Sequence, residues 1–151
     1  MNKTLHSQPE LLDTYTFLWS EARLVIASIA LLSGGVPVLM LIFKVSFFFG
    51  AVRMILALTW IISGIASLYL LYRWYQKKWR LFGRKELIDQ IAFLVSCISG
   101  INLGLTGLTG NNLGLSLTSS YGLLILTAFL YLWSAFHLAQ RWRSSGKRIF
   151  F

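Results

Sequence analysis

The sequence predicts an all-α integral membrane protein with four transmembrane helices, arranged as two tandem hairpins of the same orientation, preceded by a short N-terminal amphipathic helix. Three observations lead to this prediction. Of the 151 residues, 56% are hydrophobic and 13% charged, whereas about 25% are charged in soluble domains. Apolar runs of helix length recur along the chain, and the cations cluster at 73–85 and 141–148. The chain is therefore expected to form a single membrane domain over 1–151.

The amphipathic helix is expected before residue 24. Leu11, Leu18 and Ala22 recur there at helical spacing on one side, and Asp13 lies away from them, which is typical of a helix on a membrane surface. The alternative is that this segment extends the first span into water. The pattern alone does not choose between the two.

The first span is predicted at 24–43, an uncharged run of twenty residues. That length matches about 30 Å of hydrocarbon at 1.5 Å per residue. Gly34, Gly35 and Pro37 lie within the run and predict a bend, because proline removes a backbone donor and glycines allow close approach of a neighbour. A packing notch is the expected use of this bend.

The other three spans are predicted at 54–72, 87–108 and 121–139. No formal charge occurs from Gln90 to Gln140, a stretch far too long for one crossing. The glycine-rich and polar residues in its middle therefore predict a loop over 109–120. Four spans with basic segments at 73–85 and 141–148 satisfy the positive-inside rule when both termini are cytoplasmic.

An internal repeat supports the two-hairpin arrangement. Residues 10–20 align with 86–96 at an offset of 76, and residues 56–74 align with 124–142 at an offset of 68. Identical matches include Asp13 with Asp89 and Arg73 with Arg141. The proposed repeats are 8–76 and 84–143, related by a pseudo-two-fold axis along the membrane normal, as in parallel repeats.

Small and basic residues provide two candidate contact surfaces. Small residues at helical spacing let backbones approach closely, and they predict helix packing or partner docking at Gly34, Gly35, Ser63, Ser67, Ser96, Gly100 and Gly104. Basic and aromatic residues beside spans contact anionic head groups or partner subunits. This cytoplasmic face is predicted to comprise Arg73, Trp74, Lys77, Lys78, Trp79, Arg80, Arg84, Lys85, Arg141, Trp142 and Arg143.

Candidate chemistry is sparse. His137 is the one histidine of the apolar region and could ligate the metal of a haem or chlorophyll, although a side chain reaching to the interface is the simpler interpretation. Cys97 has no nearby cation in sequence and is interpreted as a small buried hydrophobe. Glu86 and Asp89 are assigned to the first turn of a helix, where negative charge is favoured. Asn102 is expected to bridge two helices.

These features predict a non-catalytic, multi-pass membrane subunit that packs against, assembles or stabilises a larger membrane complex. The alternative is a small transporter or channel built from two parallel two-helix repeats, against which the sequence offers no ionisable group at mid-membrane. An enzyme is not expected. The expected partners are membrane lipids, including anionic ones, and other membrane subunits, not nucleic acid, and no metal or cofactor beyond bound lipid is expected.

Overall fold

Helices dominate the structure, a computed structural model that describes residues 8–43, 49–114 and 120–151. In chain order they are α1 (Gln8–Leu32), α2 (Val38–Ile42), α3 (Phe49–Gln76), α4 (Leu87–Thr109) and α5 (Tyr121–Ser144). Residues 115–119 of the predicted loop lie outside the described residues. Four helices, α1 from Glu10, α3, α4 and α5, are long and apolar enough to cross a membrane. The all-helical, four-span prediction is confirmed to that extent.

The first span differs from its predicted boundaries, 24–43. Residues 8–23 belong to the same continuous helix as 24–32, so the N-terminal segment extends the span instead of forming a separate surface helix. The candidate span is accordingly Glu10–Leu32. Gly34 and Gly35 adopt φ values of +80° and +84°, which residues with a side chain rarely adopt, and they end α1 before the short α2.

The remaining helices contain or exceed the predicted spans. α3 contains 54–72 and extends it at both ends, α4 contains 87–108, and α5 contains 121–139 and continues through the first basic residues of the tail. The side chain of Ser120 begins α5 by accepting a hydrogen bond from the backbone N–H of Leu123 at 3.3 Å, which satisfies one of the unpaired donors of a helix start.

The helices pack as two hairpins side by side. α1 contacts α3 within the first hairpin, and α4 contacts α5 within the second. Between hairpins, α3 lies along α4 and α1 lies along α5, and α1 also contacts α4. Among the described residues α3 and α5 share no contact. α1 and α4 therefore cross near the centre of the bundle, with α3 and α5 on opposite sides of them.

The apolar core lies at one end of the bundle, which holds residues 73–86 and 141–150 and is called the basic end. Here the C-terminal tail returns to the turn after α3, and the backbone N–H of Phe82 donates to the carbonyl of Ile149 at 2.7 Å. They pack with buried aromatic and aliphatic side chains of the four long helices and the tail, among them Phe17, Leu70, Trp74, Phe93, Leu138 and, from the tail, Phe150. The basic end is thus closed by packed side chains.

Candidate functional site

An ion cluster on the first hairpin joins α1 to α3 at the basic end. Asp13 accepts from Arg73 Nε at 2.8 Å and from Arg73 Nη2 at 2.6 Å, one bond to each carboxylate oxygen. Tyr69 Oη donates to the same carboxylate at 2.8 Å. A two-point guanidinium–carboxylate contact fixes geometry as well as adding free energy. Asp13 is 5% exposed, so water competes little for these bonds.

The second hairpin carries a cluster of the same design. Asp89 is fully buried and accepts from Arg141 Nε at 3.0 Å, while Arg141 Nη2 lies 2.8 Å from the other carboxylate oxygen. His137 Nε2 lies 2.7 Å from Asp89 Oδ1, in the role that Tyr69 has in the first cluster. Glu86 adds a contact of 3.2 Å to Arg141 Nη2. Asp89 therefore pairs with a cation from another helix in addition to lying in a first helical turn.

The position of His137 bears on the cofactor hypothesis. Its Nε2 atom is engaged with Asp89, and its ring stacks on Trp133 with centroids 5.7 Å apart. These contacts give His137 a role in joining α4 to α5. Binding of a haem or chlorophyll metal by this residue stays a prediction. Among the described residues, no group of three or more His, Cys, Asp and Glu side chains could hold a metal ion.

The predicted basic face divides into buried and exposed residues. Trp74 packs against Phe93 with centroids 5.3 Å apart, and Trp142 packs against Phe17 at 6.1 Å. Arg73 and Arg141 are held by the two ion clusters, and Lys77 is half-buried. The residues of this face that stay exposed are Lys78, Trp79, Arg80, Arg84, Lys85 and Arg143.

The small residues of α4 lie against α3. A β-carbon on Gly104 would lie 2.7 Å from the α-carbon of Gly64, and one on Gly100 would overlap the side chain of Ser67. Ser63 accepts a hydrogen bond from Trp19 Nε1 at 3.1 Å, which joins α1 to α3. These predicted packing residues are therefore used between helices of this chain. Gly34 and Gly35 lie instead in the turn after α1.

Serine hydroxyls lie between α1 and α4 near the middle of the spans. Ser20 and Ser96 share a hydrogen bond of 2.8 Å where α1 meets α4. Arg23 lies beside them, two residues beyond the centre of the Glu10–Leu32 span, and its guanidinium group donates to Ser99 Oγ at 3.1 Å, Ser20 Oγ at 3.0 Å and the Ser96 carbonyl at 2.7 Å. Arg23 is 7% exposed. All of these acceptors are neutral.

The charge of Arg23 has no carboxylate partner among the described residues. Glu21 is also buried, and its carboxylate oxygens make no hydrogen bond within the described part of the chain. The Nε atom of Arg23 is likewise buried without an acceptor there. Uncompensated charge in a membrane span costs several kcal/mol and commonly marks a ligand or ion path.

Arg23 also lines a cavity of about 960 Å³, called the Arg23 cavity. Side chains from α1, α2, α3 and α4 form most of its wall, and they are mainly apolar. Trp19, Ser63 and Ser99 line it near Arg23, and Arg53 lines it at the start of α3. Arg53 and Ser63 are ten residues apart on α3, about 15 Å at 1.5 Å per residue. The cavity thus runs from mid-span toward the end opposite the basic end.

Glu21 and Arg23 lie outside the predicted first span, 24–43, because that prediction starts after the last charge, whereas the structure places both residues within α1. Two signals could have placed them correctly. The offset of 76 aligns Glu10 with Glu86, just before the predicted span 87–108, so the proposed repeat predicts a first span that begins directly after Glu10. Ser33 to Pro37 is a strong helix end, which moves the span toward the N-terminus. Comparisons with protein-family models, curated proteins and solved structures find no match to this chain.

Proposed function

We propose that this chain is a small membrane transporter whose solute binds in the Arg23 cavity. The observation that carries the proposal is the buried guanidinium of Arg23, which lines the cavity and is held by neutral acceptors only. The spans predicted from the sequence contain no ionisable group at mid-membrane, which counted against a transporter. Arg23 removes that argument, and an apolar cavity with few polar groups is typical of small-molecule sites.

The proposal includes two tandem repeats of the same orientation, 8–76 and 84–143. Residues related by the offsets of 76 and 68 make matching contacts in the two hairpins. The Asp13–Arg73 ion pair corresponds to the Asp89–Arg141 pair, and Ser20 is bonded to Ser96, its own counterpart in the alignment. Parallel repeats with a solute site near mid-membrane at their interface are a common transporter design.

The orientation proposed for both repeats places the basic end in the cytoplasm. The exposed cations of that end lie on the turn after α3 and on the tail after α5, and positive residues in short loops favour the cytoplasmic side. Both termini are then cytoplasmic. The Arg23 cavity extends toward the outer side.

Access to the cavity from both sides of the membrane tests transport without knowledge of the solute. In a Cys97→Ser background, Ala27→Cys places a thiol in the cavity wall, one helical turn beyond Arg23. Ala128→Cys is the control, since Ala128 is fully buried on α5 and does not line this cavity. A negatively charged, membrane-impermeant methanethiosulfonate is added to either side of sealed, oriented vesicles.

Labelling of Ala27→Cys from both sides, with the control unlabelled, is the expected result, because a transporter opens its site alternately. Labelling from one side alone would contradict the transporter and favour a fixed binding site. Labelling of both variants alike would mean that the reagent reports general opening of the bundle.

The subunit function predicted first is retained as the second candidate. The observation that favours it is the same cavity, whose mainly apolar wall also fits side chains of a partner helix. Gentle extraction from the native membrane, native-size separation and mass spectrometry distinguish the two. Co-migration with a large assembly would favour the subunit, and a monomer or small homo-oligomer would favour the transporter. An absorption spectrum of the same band tests the predicted cofactor role of His137.

A further inference from the structure

We infer that the solute is a singly charged amphiphile, an aliphatic carboxylate whose head group binds Arg23 and whose chain fills the rest of the Arg23 cavity. This inference rests on the proposed function and adds the chemical class of the ligand. Three properties of the cavity support it: the sign of its charge, the number of its charges, and its length and apolar wall.

The sign of the charge favours an anion. Arg23 is the charged residue that lines the cavity near mid-span, and it forms no ion pair with a carboxylate of the described residues. Glu21 does not line the cavity. Glu21 lies two residues from Arg23 and its charge acts on it, but the two make no ion-pair contact. An anionic ligand would supply that contact, and a charge in a low-dielectric site gains most from such a partner.

The donors of Arg23 are already positioned for an anion. The bonds to Ser20, Ser96 and Ser99 fix the guanidinium plane between α1 and α4. Nε is buried, so a ligand in the cavity would meet the Nη atoms of the group. A guanidinium group has five N–H donors in a planar fork, and this fork matches the two oxygens of a carboxylate. Binding therefore needs little reorganisation of this side chain.

The number of charges favours a carboxylate over a phosphate monoester. The other cation of the cavity wall, Arg53, lies at the start of α3, ten residues or about 15 Å along that helix from Ser63, which lines the cavity near Arg23. A phosphate monoester carries about −1.5 to −2 charges at neutral pH, which would leave excess negative charge beside one guanidinium in an apolar cavity. One negative charge matches Arg23.

The remaining volume fits an aliphatic chain. A cavity of about 960 Å³ lies at the upper end of the usual range for small-molecule sites. Ile26, Leu31, Leu56 and Leu103 line it between Arg23 and the far end. Apolar contact along this wall would supply affinity, and Arg23 would supply selectivity for the head group.

The inference is tested by fluorescence quenching with the full chain in phosphatidylcholine nanodiscs. The probe is a brominated hexadecanoic acid at a pH that ionises it, compared with its methyl ester and with a brominated hexadecyl phosphate. Bromine on the chain quenches Trp19 and Trp60, two residues of the cavity wall, and Trp60→Phe shows how much of the signal comes from Trp60. Arg23→Gln removes the charge, and Arg80→Gln is the matched control, which removes the same charge from an exposed residue of the basic end that does not line the cavity.

The acid is expected to bind about ten- to hundred-fold more tightly than the ester, the usual range for a hydrogen bond to a charged group. Arg23→Gln should abolish this preference while the affinity for the ester stays unchanged, and Arg80→Gln should preserve the preference. Tighter binding of the phosphate than of the acid would overturn the assignment of a carboxylate.

Equal binding of acid and ester to the natural chain would overturn the inference, and this comparison needs no variant, so it holds even if Arg23→Gln fails to fold. Failure here is distinguishable from failure of the proposed function. Two-sided labelling of Ala27→Cys without selective binding of the acid would reject the ligand class alone. Selective binding with one-sided labelling would reject transport alone.

Discussion

Replacing Gly104 by alanine tests the closest helix contact of the bundle. The new β-carbon would lie 2.7 Å from the α-carbon and 3.3 Å from the nitrogen of Gly64, whereas carbon atoms in ordinary contact are about 3.5–4.0 Å apart. Both opposing atoms belong to the backbone of α3, so no side chain can rotate away. α3 and α4 must therefore separate by about 1 Å along this contact.

The expected cost follows from two opposing effects. Overpacking costs up to about 3 kcal/mol, and alanine favours a helix over glycine by about 1 kcal/mol. Gly104→Ala should therefore lower the free energy of unfolding by about 2 kcal/mol. The same substitution at Gly50 is the control, because a β-carbon there meets nothing within 4 Å, and it should cause no loss.

Reversible unfolding in mixed detergent micelles, followed by circular dichroism, measures both variants. If Gly104→Ala is as stable as the natural chain, the close approach of α3 and α4 does not exist in the folded protein. If the two variants lose stability equally, the effect comes from the substitution itself and the contact has no special role. Gly104→Leu, with its larger side chain, should prevent this packing altogether.

Three further predictions concern the basic end. Asp89→Asn leaves Arg141 without its buried partner and should lower the free energy of unfolding by about 3 kcal/mol. Glu86→Gln is the comparison: the Glu86 side chain is 43% exposed, so its loss should cost under about 1 kcal/mol. Equal losses in unfolding experiments would contradict the buried pair. His137→Tyr should keep the stability of the natural chain, because a tyrosine, Tyr69, contacts Asp13 in the first cluster. His137→Phe should lower the free energy of unfolding by about 1–3 kcal/mol, since it leaves Asp89 with one partner fewer. An equal loss in both variants would count against the correspondence between Tyr69 and His137. The last prediction neutralises together five cations of the first basic segment: Lys77, Lys78, Arg80, Arg84 and Lys85. This change should disturb the orientation of the chain in the membrane. A reporter that still placed the segment in the cytoplasm would show that other signals dominate.

The number of spans was predictable because hydropathy and charge act over whole helices. The uncharged stretch after Gln90 had to contain a turn, since about 20 residues suffice for one crossing. The boundaries of the first span were not predictable in the same way. A search for uncharged runs excludes Arg23 from a span by construction, and the hydrogen bonds that let a guanidinium lie there come from Ser96 and Ser99, more than seventy residues away.

The ion clusters were partly visible in the sequence. The two offsets align Asp13 with Asp89 and Arg73 with Arg141 as equivalent positions. They do not show that the aspartate and the arginine of each hairpin form an ion pair. Whether the ion pair forms depends on how the two helices of a hairpin are aligned. An aspartate at the start of one helix meets an arginine at the end of the next only when the helices are antiparallel and of nearly equal length. The cavity was not visible at all, because it depends on how far α2 and α3 lie from α1, which no local pattern encodes.

The difference between the two hairpins supports separate roles for their polar residues. Under the proposed duplication, the offset of 76 relates Glu21 to Cys97 and Arg23 to Ser99. The clusters at the basic end occur in both hairpins, as expected for contacts that every copy of the hairpin needs in order to fold. The mid-span charges occur in the first hairpin only, as expected for a site that serves the whole bundle once. Arg23 contacts Ser99, its own counterpart, at 3.1 Å, so its charge lies close to the proposed axis. A single anion bound there would be shared by both repeats.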